Sequence, residues 1–262
     1  MAVINNGIVL AEGVTIDPNA GLLCYKNNIA TGNTLTSSAA DGFPASNLAN
    51  VATAFPWRAS STSDQTITIN NAGRPVNYVG YARHNLDQIG VTIEYKFDGL
   101  TVLAEESVSE VQAQLVLFNE ASPDTIQIII KGGSVPVFLG TLYAGLSTKM
   151  ERNIYVGHTP ITYGRDRRTI NGVSENGQFL GEIVLRENLS TSVKLQNLTP
   201  EWYRSELDPF LKLRPRRPAF WAWRPTDYPS EIAFAWVEGN PRPSNQRSNG
   251  MMQITFNLRA IV

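Results

Sequence analysis

The chain has 262 residues, a formal net charge of −1, 17% charged residues and one cysteine. That length fits one large domain or two small ones, and 20 glycines with 15 prolines leave no room for collagen or long low-complexity tails. The single cysteine, Cys24, excludes an internal disulfide and any multi-cysteine metal site, and two histidines supply little for a His-rich one.

Met1–Gly13 (MAVINNGIVLAEG) has neither the basic start nor the apolar core of a secretory signal. No stretch approaches the ~20 apolar residues of a membrane span. The expectation is a chain made and kept in a reducing cytoplasm until it is assembled or released. Ala45–Leu48 leads into Phe55-Pro56-Trp57-Arg58, a loop entering a sheet. Trp57 is expected to fill the end of a core, since a Trp buries ~200 Å². Asn47 is expected to bond loop backbone rather than a ligand. Asp64–Asn70 (DQTITIN) alternates with period two, and Val76–His84, Val91–Phe97, Gln112–Phe118 and Thr125–Lys131 read as further strands. Asn70–Gly73, Asp98-Gly99, Ser122–Asp124 and Gly132–Ser134 separate them with turn chemistry. Residues 134–145 (SVPVFLGTLYAG) close this unit, with Pro136 at an edge or a strand start. Short strands at this spacing predict a β-sandwich or jelly roll.

Charge changes sign at the same place. Residues 1–145 carry 6 Lys+Arg and 12 Asp+Glu, whereas residues 146–262 carry 16 and 11. This suggests two units, 1–145 and 146–262. The asymmetry reads either as two solvated surfaces or as an acidic half of one copy docking near a basic half of another.

In the second unit Ile154–Val156 and Gln178–Arg186 read as strands, and Arg165–Gly177 as an extended loop or hairpin. Thr199–Leu211 is a helix capped by Thr199 with Pro200 in its first turn, and Trp202, Tyr203, Leu207 and Phe210 or Leu211 form its core stripe. Ala219–Trp223, Ile232–Val237 and Met251–Arg259 are strands, and Gly239–Gly250 is an exposed loop.

Chemical motifs are missing. No phosphate loop, dinucleotide fingerprint, nucleophile elbow, HExxH or EF-hand occurs. His84 reads as a loop anchor and His158 as part of a turn. Glu94, Asp98, Glu105 and Glu106 could supply a carboxylate pair for glycoside hydrolysis, but nothing in their context marks them. The expectation is no enzyme, with no catalytic, cofactor-binding or metal residues and no cofactor. Lys212–Pro218 (KLRPRRP) places four cations beside Phe220, Trp221 and Trp223. That combination can bind single-stranded nucleic acid. An overall pI near 6.2 argues against a dedicated nucleic-acid binder, and the prolines on both sides suggest instead an extended arm gripping a neighbouring subunit. Arg214, Arg216 and Arg217 are the expected inter-subunit contacts, with no nucleic acid and no membrane insertion.

Two stretches carry family likenesses. Ala45–Ile69 (NL…PWRAS…DQTITI), Val76–Asn85 (VNYVGYARHN), Val91–Gly99 (VTIEYKFDG) and SVPVFLGTLYAG together resemble the galactose-binding-like, discoidin-type jelly roll over roughly residues 20–145. The second half is similar to minor tail, tail-tip or baseplate proteins of tailed bacteriophages, including distal tail proteins. The residues carrying this are Gly140–Gly145, Ile154–Pro160, Arg165–Gly181 ending GQFLG, Ala219–Pro225 (AFWAWRP) and the later AFAWV. The resemblances imply a mainly β chain: a jelly-roll sandwich followed by a second β-rich domain with one short helix. They imply a virion tail component that forms a homo-oligomeric ring or collar, docking on tail tube and tail hub proteins. The alternative they imply is a carbohydrate-binding module that adsorbs to a cell-surface glycan.

Overall fold

The two-residue period at 65–70 and 125–131 folds into antiparallel neighbours. Ile126, Ile128 and Ile130 are buried beside Ile67 and Ile69, and the alternates Thr66, Thr68, Gln127 and Ile129 are half-buried on the other face. The computed structural model describes residues 3–5, 7–108, 113–154, 157–213, 217–246 and 248–261. Its strands are β1 (Val3–Asn5), β2 (Ile8–Leu10), β3 (Leu22–Cys24), β4 (Thr34–Thr36), β5 (Trp57–Arg58), β6 (Gln65–Asn70), β7 (Val76–His84), β8 (Thr92–Phe97), β9 (Leu100–Ser107) and β10 (Ala113–Ala121). They continue with β11 (Thr125–Lys131), β12 (Phe138–Gly145), β13 (Thr148–Lys149), β14 (Arg165–Val173), β15 (Phe179–Leu198), β16 (Ala219–Ala222), β17 (Ile232–Glu238), β18 (Ser244–Asn245) and β19 (Met252–Ala260).

Among the described residues these make three sheets. A six-stranded sheet runs β1-β2-β10-β7-β12-β5, and a five-stranded sheet runs β4-β6-β11-β8-β9. The two pack face to face over Val79, Tyr81, Val116 and Leu142 on one side and Ile67, Ile93, Tyr95 and Ile128 on the other. Trp57 is fully buried in this core, and its indole N–H donates to the Ser38 carbonyl at 3.0 Å. The expected architecture is therefore present: a jelly-roll sandwich followed by a second β-rich unit with one short helix.

The third, eight-stranded sheet runs β13-β3-β16-β17-β19-β15-β14, with β18 added on β19. It stacks on the outer face of the six-stranded sheet. Cys24, Phe220 and Phe234 meet Tyr78, Leu115 and Tyr143 there, and the Tyr143 ring stands edge-on to both phenylalanines at 5.6 and 5.5 Å. The six-stranded sheet is thus covered on both sides, which accounts for the nearly continuous apolar runs of β7, β10 and β12. On the far face of the third sheet lies a helix over 200–212, whose Tyr203, Leu207 and Phe210 pack among Val193, Leu195, Trp221 and Phe256. Thr199 caps it, its hydroxyl accepting the Trp202 N–H at 3.3 Å, and the middle turn is π-helical.

The expected dividing point at residue 145 coincides with the end of β12. One strand crosses it: β3 pairs with β16, Cys24 opposite Phe220, and with β13. Two local expectations need correction. Ile154 lies in no strand, and residues 155 and 156 fall outside the described residues. The 239–250 loop carries the two-residue β18, pulled into order by its pairing with β19. No described helix is long and apolar enough to cross a membrane.

Candidate functional site

β15 is twenty residues long and does two jobs. Its second half, from Leu189 onward, pairs with β19 in the body of the third sheet. Its first half pairs only with β14, from Arg165–Leu189 at the root to Val173–Phe179 near the tip. Residues 165–187 therefore form a two-stranded arm beyond the sheet. At about 3.3 Å per residue β14 extends ~30 Å, and two strands are ~10 Å wide. The segment expected as a loop or hairpin is this hairpin. Its turn is closed by Ser174 N–H to Gln178 O and Gly177 N–H to Ser174 O, both 2.9 Å, with Gly177 at φ +78°.

The root is tight. A β-carbon on Gly164 would lie 2.0 Å from the Ser190 carbonyl, so only glycine lets the chain turn there while Ser190 N–H donates to Gly164 O at 2.7 Å. Arg259 on β19 contacts Asp166 at 3.3 Å and Glu238 at 3.2 Å, tying the root to the sheet. Arg167 forks onto Glu187, Nε to Oε2 at 2.8 Å and Nη2 to Oε1 at 3.2 Å.

Beyond the root no arm residue is buried. Ile170, Val173, Phe179, Leu180, Ile183, Val184 and Leu185 are each between 49% and 69% exposed, and they are seven of the thirteen large apolar side chains exposed among the described residues. Cross-strand partners share a face, so Ile170 with Ile183 occupy one side, and Val184 and the Val173–Phe179 pair the other. Both faces are apolar and both outer edges are unpaired. An isolated two-stranded hairpin is marginal in water, and concentrated exposed apolar surface marks a contact site. Sequence reasoning placed a strand at 178–186 but missed its role. The available signal was GQFLGEIVLR, whose apolar residues do not alternate and so cannot all face one core.

Of the three expected contact residues, only Arg217 is among the described residues. Arg214 and Arg216 lie outside the described residues. Arg217 is exposed just before β16, separated from β14 by β17, β19 and β15. The carboxylates are engaged in structure. Glu94 accepts from the Thr101 hydroxyl at 2.8 Å and pairs with Lys131 at 3.0 Å and Lys96 at 3.3 Å; these hold its pKa down at about 2, where it has no proton to donate near neutrality. Asp98 accepts the Thr125 N–H at 2.8 Å. Burial pushes the Glu106 carboxyl up, and the side chain of Glu105 is outside what is described. Asn47 donates to the Pro56 carbonyl at 3.1 Å, and His84 Nδ1 accepts the Leu86 N–H at 3.3 Å, both as expected of loop anchors. His158 stands edge-on to Trp223 at 4.7 Å beside Gly157, at φ +93°. A partly open cavity of about 20 Å³, lined by Met150, Ile161, Trp221 and Glu231 among others, has room for a single water.

A second surface feature lies on the sandwich. Arg58 points out from β5, its guanidinium 5.1 Å from the Phe43 ring centroid and 6.0 Å from that of Phe138. Asn85 fixes the neighbouring strand, accepting Phe138 N–H at 2.9 Å and donating to Pro136 O at 3.1 Å. Phe55, three residues before Arg58, is exposed.

No family model matches the sequence, and no curated protein matches it. Solved structures of similar outline include chitosan-binding module 1 of a chitosanase/glucanase from Paenibacillus sp. IK-5 (15% identity, TM-score 0.40, 46% of this chain and 98% of that one). A fucose binding module from Streptococcus pneumoniae gives 12% identity, TM-score 0.40, 47% of this chain and 98% of that one. The lectin domain of Lectinolysin complexed with Lewis B antigen gives 12%, 0.39, 45% and 95%. Identities this low carry no residue roles across.

Proposed function

We propose that the protein is a structural component of a larger assembly, with no reaction of its own, and that its 165–187 arm is covered by other chains once assembled. The observation that carries this is the arm itself, apolar on both faces and open on both edges. The tail-tip likeness of the second half gives the setting: a bacteriophage virion, with copies of this chain and neighbouring tail proteins such as tube and hub as partners. Obligate interfaces of this kind bury ~2,000–5,000 Å². Replacing residues 168–185 by a short turn tests it. The expected outcome is a folded chain of nearly unchanged thermal stability that no longer oligomerises and is absent from particles. A full-length chain that stays monomeric at high concentration and is missing from virions overturns the reading.

A second reading concerns the sandwich alone: carbohydrate binding at a cell surface. The observation favouring it is the arginine held between two aromatic rings beside exposed Phe55. Flat guanidinium and ring surfaces suit sugar rings and their hydroxyls. Glycan-array binding that is lost in Arg58→Ala and Phe55→Ala supports it, and silence across a broad array removes it.

A further inference from the structure

We infer that two copies of this chain pair face to face through their arms, antiparallel, about a two-fold axis at the level of Asn171. This rests on the assembly reading above and names the occupant of one arm face. Two observations converge on it, and a third sets its strength. First, shape. Ile170 and Ile183 stand opposite one another, and the next pair toward the tip on the same face is Gly172 with Gly181. The arm thus has an apolar knob beside a shallower spot: a β-carbon on Gly181 would meet nothing within 4 Å, one on Gly172 would meet only the Leu180 β-carbon at 3.3 Å and the Gly181 carbonyl at 3.8 Å, and Gly181 itself, at φ +134°, lies beside the bulge between Gly172 and Val173. The bulge accounts for the glycine at 181, and the missing side chains leave room there for a neighbour's side chains. A two-fold between the two pairs sets each copy's isoleucines over the other's glycines, the self-complementarity an isologous contact requires.

Second, charge. The pair toward the root on that face is Arg168 opposite Arg186, two like charges directly across the ladder. Such pairs destabilise a sheet. Neither makes an ion pair among the described residues, whereas the neighbouring Arg167 is paired with Glu187. The tip carries Glu175, exposed and likewise without an ion-pair partner among the described residues. With the axis at residue 171, position 168 of one copy falls opposite position 174 of the other, and Glu175 reaches the Arg168–Arg186 pair. Arms laid parallel would instead align four root arginines (Arg165, Arg167, Arg168 and Arg186) with their counterparts. Third, area. One face of a ~30 by ~10 Å ribbon is ~300 Å², so the arms supply ~600 Å² between them. That is below the ~1,200 Å² of a standard specific interface, so the pair forms a modest dimer, with the second arm face left for other partners.

The test uses the full chain and light scattering with size separation. The native chain is expected to dimerise, and Ile170→Ser with Ile183→Ser to raise the dissociation constant at least tenfold with the fold intact. Glu175→Arg is expected to do the same, and adding Arg168→Glu and Arg186→Glu to restore pairing. A chain carrying Arg168→Cys and Glu175→Cys is expected to be joined between copies by a bis-maleimide spanning ~10 Å, with peptide mapping showing 168-to-175 links. The two positions are ~23 Å apart along one chain, so only an antiparallel partner gives that link, whereas parallel arms would give 168-to-168 and 175-to-175. A monomer under all conditions that is still found in virions overturns this pairing alone, and one that is also missing from virions overturns the assembly reading with it. An oligomer that depends on the isoleucines but ignores the charge exchange and yields no cross-link overturns the two-fold pairing alone.

Discussion

A β-carbon on Gly80 would lie 2.8 Å from Cε2 of Phe220. Gly80 sits at the middle of β7 and Phe220 on β16, so the absent side chain of one unit is the seat of the other's ring. Leu115 Cδ2, 2.9 Å from the same point, closes the seat. The contact links a single residue choice to the packing of the second unit against the sandwich. Gly80→Val is expected to cost about 1–3 kcal/mol by overpacking. Phe220→Ala, which empties the seat, is expected to cost about 3–5 kcal/mol. Combining them should cost less than the sum, because the valine grows into the vacated space. Chemical denaturation of the three variants checks this, and strict additivity would contradict the contact.

Glu94 makes the sandwich sensitive to acid. Its hydrogen bond from Thr101 and its pairing with Lys131 and Lys96 hold its pKa at about 2, below the ordinary 4.5. A carboxyl depressed on folding stabilises fully above its unfolded pKa and loses that contribution as pH falls through the folded one. The stability difference between the native chain and Glu94→Gln should therefore be constant above about pH 5 and shrink steadily toward pH 2. Melting both proteins across that range reads it directly. High salt should narrow the gap, since the lysines are partly exposed.

Cys24 reports on the junction between the units. It is fully buried, and burial pushes its thiol well above the ordinary range. Alkylation of the native protein near pH 8 should then be limited by opening of the third sheet from the sandwich. Gly80→Val should accelerate it roughly in proportion to the stability lost, about tenfold per 1.4 kcal/mol if opening is global. A labelling rate equal to that of the unfolded chain would contradict the burial.

Thr199 is the start signal of the 200–212 helix. Thr199→Ala is expected to destabilise the chain by about 1 kcal/mol, and Thr199→Ser or Thr199→Asp to retain most of that. Calorimetry on the three distinguishes a lost cap from a general surface effect.

Much of this fold could be read from local pattern. Gln65–Asn70 and Thr125–Lys131 alternate because each has one covered face, and the cap at Thr199 with Pro200 behind it marks a helix wherever it occurs. Three things could not be read so. The pairing of Leu22–Cys24 with Phe220 depends on residues nearly two hundred positions apart, and three apolar residues have no period. The three arginines of β14 (Arg165, Arg167 and Arg168) leave the first strand of the arm open between an extended loop and a hairpin, since strand patterning presumes a covered face and this segment has none inside its own chain. Arg58, at the point where the 55–58 loop enters a sheet, carries no local mark of a surface site. It is on β5, yet it faces outward between Phe43 and Phe138, neighbours brought in by the 40–43 turn and by β12.

The placement of β3 bears on how this protein can be dissected and exchanged. A cut at residue 145 would leave the downstream fragment with a slot between β13 and β16 and the upstream fragment with an apolar tongue and nowhere to lodge it. Swapping the sandwich for that of a related chain succeeds only if the donor brings its own compatible tongue. Recombination between such genes would thus be filtered at a three-residue segment far from the crossover point.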